Sequence, residues 1–397
     1  MKILVANLGS TSFKYRLYDL GDPHEPMLAR GAVDRIGASK SKVSYSSGKG
    51  KAEDEVPVAD HGEAVRLCLQ QLTDPTLGVI SSAEEVAAIG FKAVHAKGIS
   101  GVRRVDDRLL SAMEEFNDVT PAHNPPYVRA MRMLADRFPE MPLVAAFETG
   151  FHATIPDRNR RYAVPNDWAT DHGVLRWGFH GASHRYIAER SAQVLNRPGL
   201  RVISCHLGGS SSLCAIKDGK SVATSMGMSP QSGLFHNNRV GDFDPFALPA
   251  VLRATGMSLE QALDVLATKS GLLGICGKND LRDVEQAADA GDSNAQLALE
   301  MFVSSIRHYL GAYLVELGDT DAIIFTAGIG ENSPRIRAMV CQDLGAFGIL
   351  LNSELNETGS GERKISSADS KVEVWVMPTN EEIIVARQAR DLLSGTL

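Results

Sequence analysis

The chain has 397 residues, 44% of them apolar and 22% charged, with a formal net charge of −7. That length accommodates two domains with buried cores, and the acidic balance gives no reason to expect nucleic-acid binding. Five scattered cysteines without a CxxC spacing read as a reduced protein with no structural zinc; no apolar run spans a bilayer, and an opening strand argues against a signal peptide, so a cytoplasmic location is expected.

In chain order, residues 3–21 read as an apolar strand, the turn Leu8-Gly9-Ser10-Thr11-Ser12 and a return strand. Residues 37–55 are polar and low in complexity, and are expected to be an exposed hairpin or loop without chemistry. A helix over 61–72 follows, then a strand over 86–94 that carries Lys92. A turn at 121–125 precedes a helix over 126–138, and a buried strand over 143–147 ends at Glu148, where a domain boundary is expected. The second half opens on a helix over 182–195. A second hairpin spans 202–219, with the turn His206-Leu207-Gly208-Gly209-Ser210-Ser211-Ser212. Ser258 with Gln261, Ser293 with Gln296, and Thr379 with Glu382 have the spacing of capping boxes. The helix ending near Leu317 carries a broad apolar stripe suited to core or dimer packing. A strand over 322–325 leads into the glycine turn 326–332, then a helix over 334–344, and a last strand covers 372–377. Strands alternating with helices give an α/β class.

The two hairpins repeat at a fixed offset of 199. Leu8-Gly9-Ser10-Thr11-Ser12 falls on Leu207-Gly208-Gly209-Ser210-Ser211, and Leu17 and Asp19 fall on Ile216 and Asp218. Such long-period similarity predicts a duplicated unit. Glycine turns free backbone N–H groups to meet phosphates, and Gly328-Ile329-Gly330-Glu331-Asn332 stands in the strand–loop–helix context that binds nucleotides. One such turn is equally an ordinary hairpin. Three favour a nucleotide enzyme.

Ten ordered motifs then resemble the acetate kinases of the acetate and sugar kinase/actin superfamily. They are NLGSTSFK (7–14), PAHNP (121–125), FETGFHATIP (147–156), GFHGASH (178–184), HLGGSSS (206–212), NNRVGDFDP (237–245), SGLLGICG (270–277), DLRD (280–283), GIGENS (328–333) and PTNEE (378–382). The resemblance implies a duplicated actin-like, ribonuclease H-like fold with the active site in the cleft between two domains. These would be 1–150, joined by a C-terminal helix over 381–397, and 151–380. It also implies a homodimer, and reversible, magnesium-dependent transfer of the ATP phosphoryl group to acetate or a similar short carboxylate. Manganese is a possible substitute.

Residue by residue, the resemblance makes Glu148, His180 and Arg239 catalytic and places Lys92, Val94, Ala122, His123, Phe179 and Pro230 about the acceptor. Asn7 and Glu381 match the metal positions, with Glu382 left to cap its helix. Lys14, His206, Leu207, Gly208, Gly209, Ser210, Asp280, Leu281, Arg282, Gly328, Ile329, Gly330, Glu331 and Asn332 match phosphate and nucleotide contacts. Phosphoryl transfer needs positioning and charge neutralisation, and a carboxylate acceptor, already ionised at neutral pH, needs no general base. Each of these residues also has an ordinary structural reading: a satisfied histidine, an ion-paired arginine, a helix cap. The chain departs from the family pattern at Lys92 (usually Arg), Glu148 (usually Asp), Ala96-Lys97 (usually Gly-Gly), Gly209-Ser210 (usually Asn-Gly), Asn237-Asn238 (usually Gly-Thr) and Ala122 (usually Leu). A smaller residue at 122 predicts a broadened acceptor range that takes in propionate and reaches toward butyrate. The departures leave a propionate- or butyrate-type kinase, or a nucleotide-binding relative with weak or no activity, as alternatives.

Overall fold

The computed structural model describes residues 1–121 and 123–396. The chain divides into two compact units, Met1–Gly150 with Asn380–Leu397, and Phe151–Thr379. No helix among the described residues is long and apolar enough to cross a membrane.

The first unit is built on eight strands: β1 (Lys2–Leu8), β2 (Ser12–Asp19), β3 (Met27–Asp34), β4 (Ser41–Ser47), β5 (Gly50–Val56), β6 (Val86–Ala93), β7 (Val102–Arg104) and β8 (Leu143–Phe147). Their order in the sheet is β5-β4-β3-β2-β1-β6-β8-β7. β1, β6 and β8 run parallel, and the other pairings are antiparallel. Alternation along β2 sends Phe13, Tyr15 and Leu17 to one face, where they pack with Val65, Cys68 and Leu72 of the helix His61–Leu72 and with Val128, Met131 and Leu134 of the helix Asn124–Arg137. The helix Glu381–Leu393 packs on the sheet as well, and comes so close to β6 that a Cβ at Gly90 would lie 3.1 Å from Val385. The polar 37–55 stretch forms an antiparallel hairpin, β4–β5, with Val43 and Tyr45 buried.

The second unit has six strands: β9 (Arg201–Leu207), β10 (Ser211–Lys217), β11 (Lys220–Thr224), β12 (Ala322–Thr326), β13 (Arg363–Lys364) and β14 (Glu373–Val376), in the order β11-β10-β9-β12-β14-β13. The run β11-β10-β9-β12-β14 repeats β3-β2-β1-β6-β8 in order and in strand direction. β9 starts and ends 199 residues after β1, at the offset read from the sequence. The turns differ, however: Leu8 pairs with Phe13, whereas Leu207 pairs with Ser211, so the second hairpin is tighter by one residue. The helix Ser293–Leu317 buries Leu299, Phe302, Val303, Ile306, Leu310, Tyr313 and Leu317 against β9, β10 and neighbouring helices.

Three local expectations are corrected. The long helix is capped by Asp292, whose carboxylate accepts from the N–H groups of Asn294 (2.9 Å) and Ala295 (3.2 Å), and Ser293 is its first helical residue. A carboxylate is favoured over a hydroxyl there because it also meets the positive end of the helix. The last helix is capped by Asn380, which accepts from the Ile383 N–H at 3.2 Å; Thr379 does not cap it, and the Glu382 side chain turns to Asn7 and Arg16. The glycine turn 326–332 is a short helix, Ala327–Asn332, entered through Ala327 in the left-handed region (φ 64°).

Candidate active site

In the first unit, polar groups gather where β1, β6 and β8 end. Asn7, one residue from the end of β1, donates from Nδ2 to Glu382 Oε1 at 3.3 Å, and Glu382 also pairs with Arg16 at 3.1 Å. Lys92 on β6 forms an ion pair with Glu381 in the first turn of the last helix. Burial opposes the charge on Lys92, but Glu381 and Glu148 outweigh it, and its pKa lies above the ordinary lysine value. Glu148 follows β8 directly, is buried, and donates its backbone N–H to the Ala93 carbonyl at 2.8 Å. Val94 lies buried just past β6. His123 precedes the helix Asn124–Arg137 without a side-chain cap bond to it. Lys14 lines an open cavity of about 370 Å³ with Asn7, Arg16, Arg30 and Glu382.

In the second unit, four histidine rings cluster. His180 caps the helix Gly181–Leu195 in the left-handed region (φ 55°, ψ 29°), and its ring stacks on His206 at 4.1 Å. His180 Nδ1 lies 2.8 Å from Ser212 Oγ, and His206 Nδ1 lies 2.8 Å from Ser183 Oγ. Behind them, His184 bonds Ser204 and Ser212, while His152 bonds Ser221 and the Phe179 carbonyl. Arg239 donates to Ser210 Oγ at 3.2 Å and to the Pro230 carbonyl at 3.5 Å, and burial draws its pKa below the ordinary arginine value. Its loop is clamped by backbone bonds from Ser270 to Asn238, Leu272 to His236 and Leu273 to Asn237. Gly271 makes the clamp possible: it sits at φ 61°, and a Cβ there would lie 2.0 Å from the His236 carbonyl oxygen.

Beside this cluster is a cavity of about 410 Å³. Gly208, Gly209, Asp280, Leu281, Arg282, Gly328, Ile329 and Asn332 line it, so three separate stretches of the predicted nucleotide set come together. The remaining members lie apart: His206 stacks on His180, Leu207 is core, Ser210 takes the Arg239 bond, and Gly330 and Glu331 give their carbonyls to Arg337.

The acetokinase family model matches residues 2–387. An acetate kinase of Carboxydothermus hydrogenoformans is 41% identical over 397 residues, covering 99% of both chains. The crystal structure of Porphyromonas gingivalis acetate kinase has a TM-score of 0.88 at 36% identity, with 99% of each chain covered. The chain belongs to the acetokinase family. A propionate kinase from Francisella tularensis is as similar in structure, with a TM-score of 0.88 at 33% identity over 98% of each chain. Acetokinase-family membership makes the chain an α/β kinase enzyme that binds a carboxylate, a nucleotide and a divalent metal.

Ala122, the position argued from sequence to widen the acceptor range, lies outside the described residues. Sequence reasoning missed several groups that hold these clusters in place. Arg337 is 1% exposed and ties the short helix to Asn356, donating to Asn356 Oδ1 at 2.8 Å and to its carbonyl at 2.7 Å. Asn237, Glu285 and Ser333 also line the nucleotide-sized cavity, and Ser333 donates to Glu285 at 2.7 Å. The turn 206–212 reads from sequence as a phosphate cradle, yet the side chain of Ser212 is turned onto two histidines. Only the GFHGASH stretch, which sets His184 one helical turn after His180, hinted at a ring cluster.

The donor set suits a hard cation. Asn7 Oδ1 is buried with no hydrogen-bond partner, beside the Glu382 carboxylate. Among the described residues no three His, Cys, Asp or Glu side chains gather to hold a metal by themselves. Such a sparse set of oxygens fits magnesium, which keeps several waters and relies on substrate phosphates for the rest of its shell.

Proposed function

We propose that this acetokinase-family enzyme transfers the γ-phosphoryl group of ATP to acetate, reversibly and in line, with Mg²⁺, and uses propionate as a second acceptor. The observation that carries the nucleotide half of this reading is the cavity where Gly208-Gly209, Asp280–Arg282 and the short helix from Ala327 converge. In this reading the ribose and base lie against Asp280, Leu281 and Arg282, with the phosphates toward Gly208 and Gly209. Arg239 and His180 supply preorganised donors for the charge carried on the phosphoryl oxygens in flight. A guanidinium already desolvated and already held by Ser210 and Pro230 has little reorganisation left at the moment of transfer.

Asn7 Oδ1, with Glu381 or Glu382, would hold the magnesium ion, which neutralises phosphate charge when bound. The acceptor is ionised at neutral pH, so Glu148 takes no proton in this scheme; it sustains the charge on Lys92. Val94, Phe179 and Pro230, all buried, are read as apolar walls for the acyl chain, with His123 as a polar neighbour.

Hydroxamate trapping tests the reading: ATP, Mg²⁺ and acetate should give acetyl hydroxamate well above a no-enzyme control, and propionate a comparable amount. Absence of product with every short acid would leave only a nucleotide-binding relative.

We also infer a homodimer formed through the second unit. Phe246 is 87% exposed, and Leu259, Leu263, Leu297 and Met301 expose large apolar side chains in the same unit. Large apolar side chains this exposed are suited to cover by another chain. Sedimentation equilibrium should return twice the chain mass, and Leu263→Glu with Met301→Glu should shift it toward monomer. A monomeric native protein would overturn this inference.

A further inference from the structure

The serine–histidine chain behind His180 has a direction. His184 Nδ1 lies 2.9 Å from Ser204 Oγ, His184 Nε2 lies 2.9 Å from Ser212 Oγ, and Ser212 Oγ lies 2.8 Å from His180 Nδ1. Ser204, His184 and Ser212 are all 0% exposed, so water does not complete their bonding. His184 is neutral, since burial and the neighbouring rings of His152 and His206 hold its pKa well below the ordinary value. A neutral ring carries one N–H, and the Ser212 hydroxyl has one hydrogen for two histidines. Only two head-to-tail arrangements therefore satisfy the chain.

In one, Ser204 donates to His184 Nδ1, His184 Nε2–H donates to Ser212, and Ser212 donates to His180 Nδ1. In the other every bond is reversed. The ends distinguish them. Among the described residues the side chain of Ser204 bonds only His184. Reversal would leave its hydroxyl hydrogen buried without an acceptor, whereas the forward arrangement leaves only unused lone pairs. A buried donor left unpaired is the costlier defect.

We propose that Ser204, His184 and Ser212 form a directed hydrogen-bond chain that fixes His180 in its Nε2–H tautomer, making it a neutral donor. Two further features favour the neutral ring: His180 stands at the N-terminus of a 15-residue helix, and it stacks on a second imidazole. The ring then carries Nε2–H as its donor without first acquiring a proton. Ser212 and His184 act through His180 and are positioning residues. The inference rests on the kinase reading for its purpose, but its structural content is separate from it.

Nitrogen-15 shifts of the histidine side chains, measured above the imidazole titration range, read the tautomers directly. His180 and His184 are both expected as Nε2–H; finding either as Nδ1–H in the native protein overturns the proposal. In Ser212→Ala, His180 loses the donor to its Nδ1 and with it its single tautomer, while His184, which still accepts from Ser204, keeps Nε2–H. Ser212→Thr should restore the His180 signature. The kcat of Ser212→Ala should fall roughly three- to tenfold, as for a misdirected proton donor, with KM for ATP unchanged. A His180 ring that stayed wholly Nε2–H in folded Ser212→Ala would also overturn the chain. If the native protein lacked kinase activity but showed these tautomers, the kinase reading would fail and the chain would stand.

Discussion

Arg239→Ala is expected to lower kcat by roughly a hundredfold or more while leaving KM for ATP near the native value. The guanidinium is held before any ligand arrives: it donates to Ser210 and Pro230, and its loop is tied to Ser270, Leu272 and Leu273. A donor so placed contributes most where charge is greatest, in the transition state, and less to ground-state nucleotide binding. Arg239→Lys should recover only part of the loss, because an ammonium cannot present two parallel N–H groups to an anion. Alanine there removes a half-buried charge together with its bonds to Ser210 and Pro230, and a matched denaturation curve excludes unfolding as the cause. An unaltered kcat in the folded variant would remove Arg239 from the reaction.

Mild acid should destabilise the second unit steeply. His152, His184 and His236 are each at most 1% exposed. Burial lowers the pKa of His152 to about 4 and that of His236 to about 3, and holds His184 well below the ordinary value. In the unfolded chain all three titrate near the ordinary value, 6.5. Between there and the folded values the unfolded state binds more protons, so stability is complete above 6.5 and is lost as pH falls toward about 4 and then about 3. Each histidine contributes about 1.4 kcal/mol per pH unit, and the three together roughly 4 kcal/mol per unit. Against a typical total of about 5–15 kcal/mol, that slope brings unfolding within about two units below the histidine range. Trp168, Trp177 and Trp375 all lie in this unit, so tryptophan fluorescence during urea titration reports it selectively. Stability that stayed flat down to about pH 5 would show that these rings are not buried neutral.

The strands and the repeat were legible because apolar runs bounded by glycine turns leave few other choices. The run 143–147 is β8 to the residue, and the 199-residue offset reappears as the start and end of β9. Caps were less legible. At Asp292-Ser293 and Thr379-Asn380 two competent capping residues stand side by side, and only the neighbouring chain decides between them. Tyr18 decides one case, donating to Asn380 Oδ1 at 3.1 Å. The short helix Ala327–Asn332 was hidden by its glycines; it is held by Arg337, whose role depends on a contact to Asn356, 19 residues further on. At the site, residue types were readable and partners were not. Glu382 was assigned to its own helix end, and it reaches Asn7 across 375 residues of sequence.

The matching offset of β1 and β9 has a chemical side. Asn7 and His206 occupy the same place in the repeat, and each bonds a residue in the first turn of a helix: Asn7 to Glu382, His206 to Ser183. Val5 corresponds likewise to Ser204, and, because the second turn is one residue shorter, Lys14 opposite Asn7 corresponds to Ser212 opposite His206. One ancestral strand end thus became two unlike terminals. In the first copy it is furnished with amide and carboxylate oxygens that attract cations; in the second, with imidazole and hydroxyl groups that can offer hydrogens to an anion.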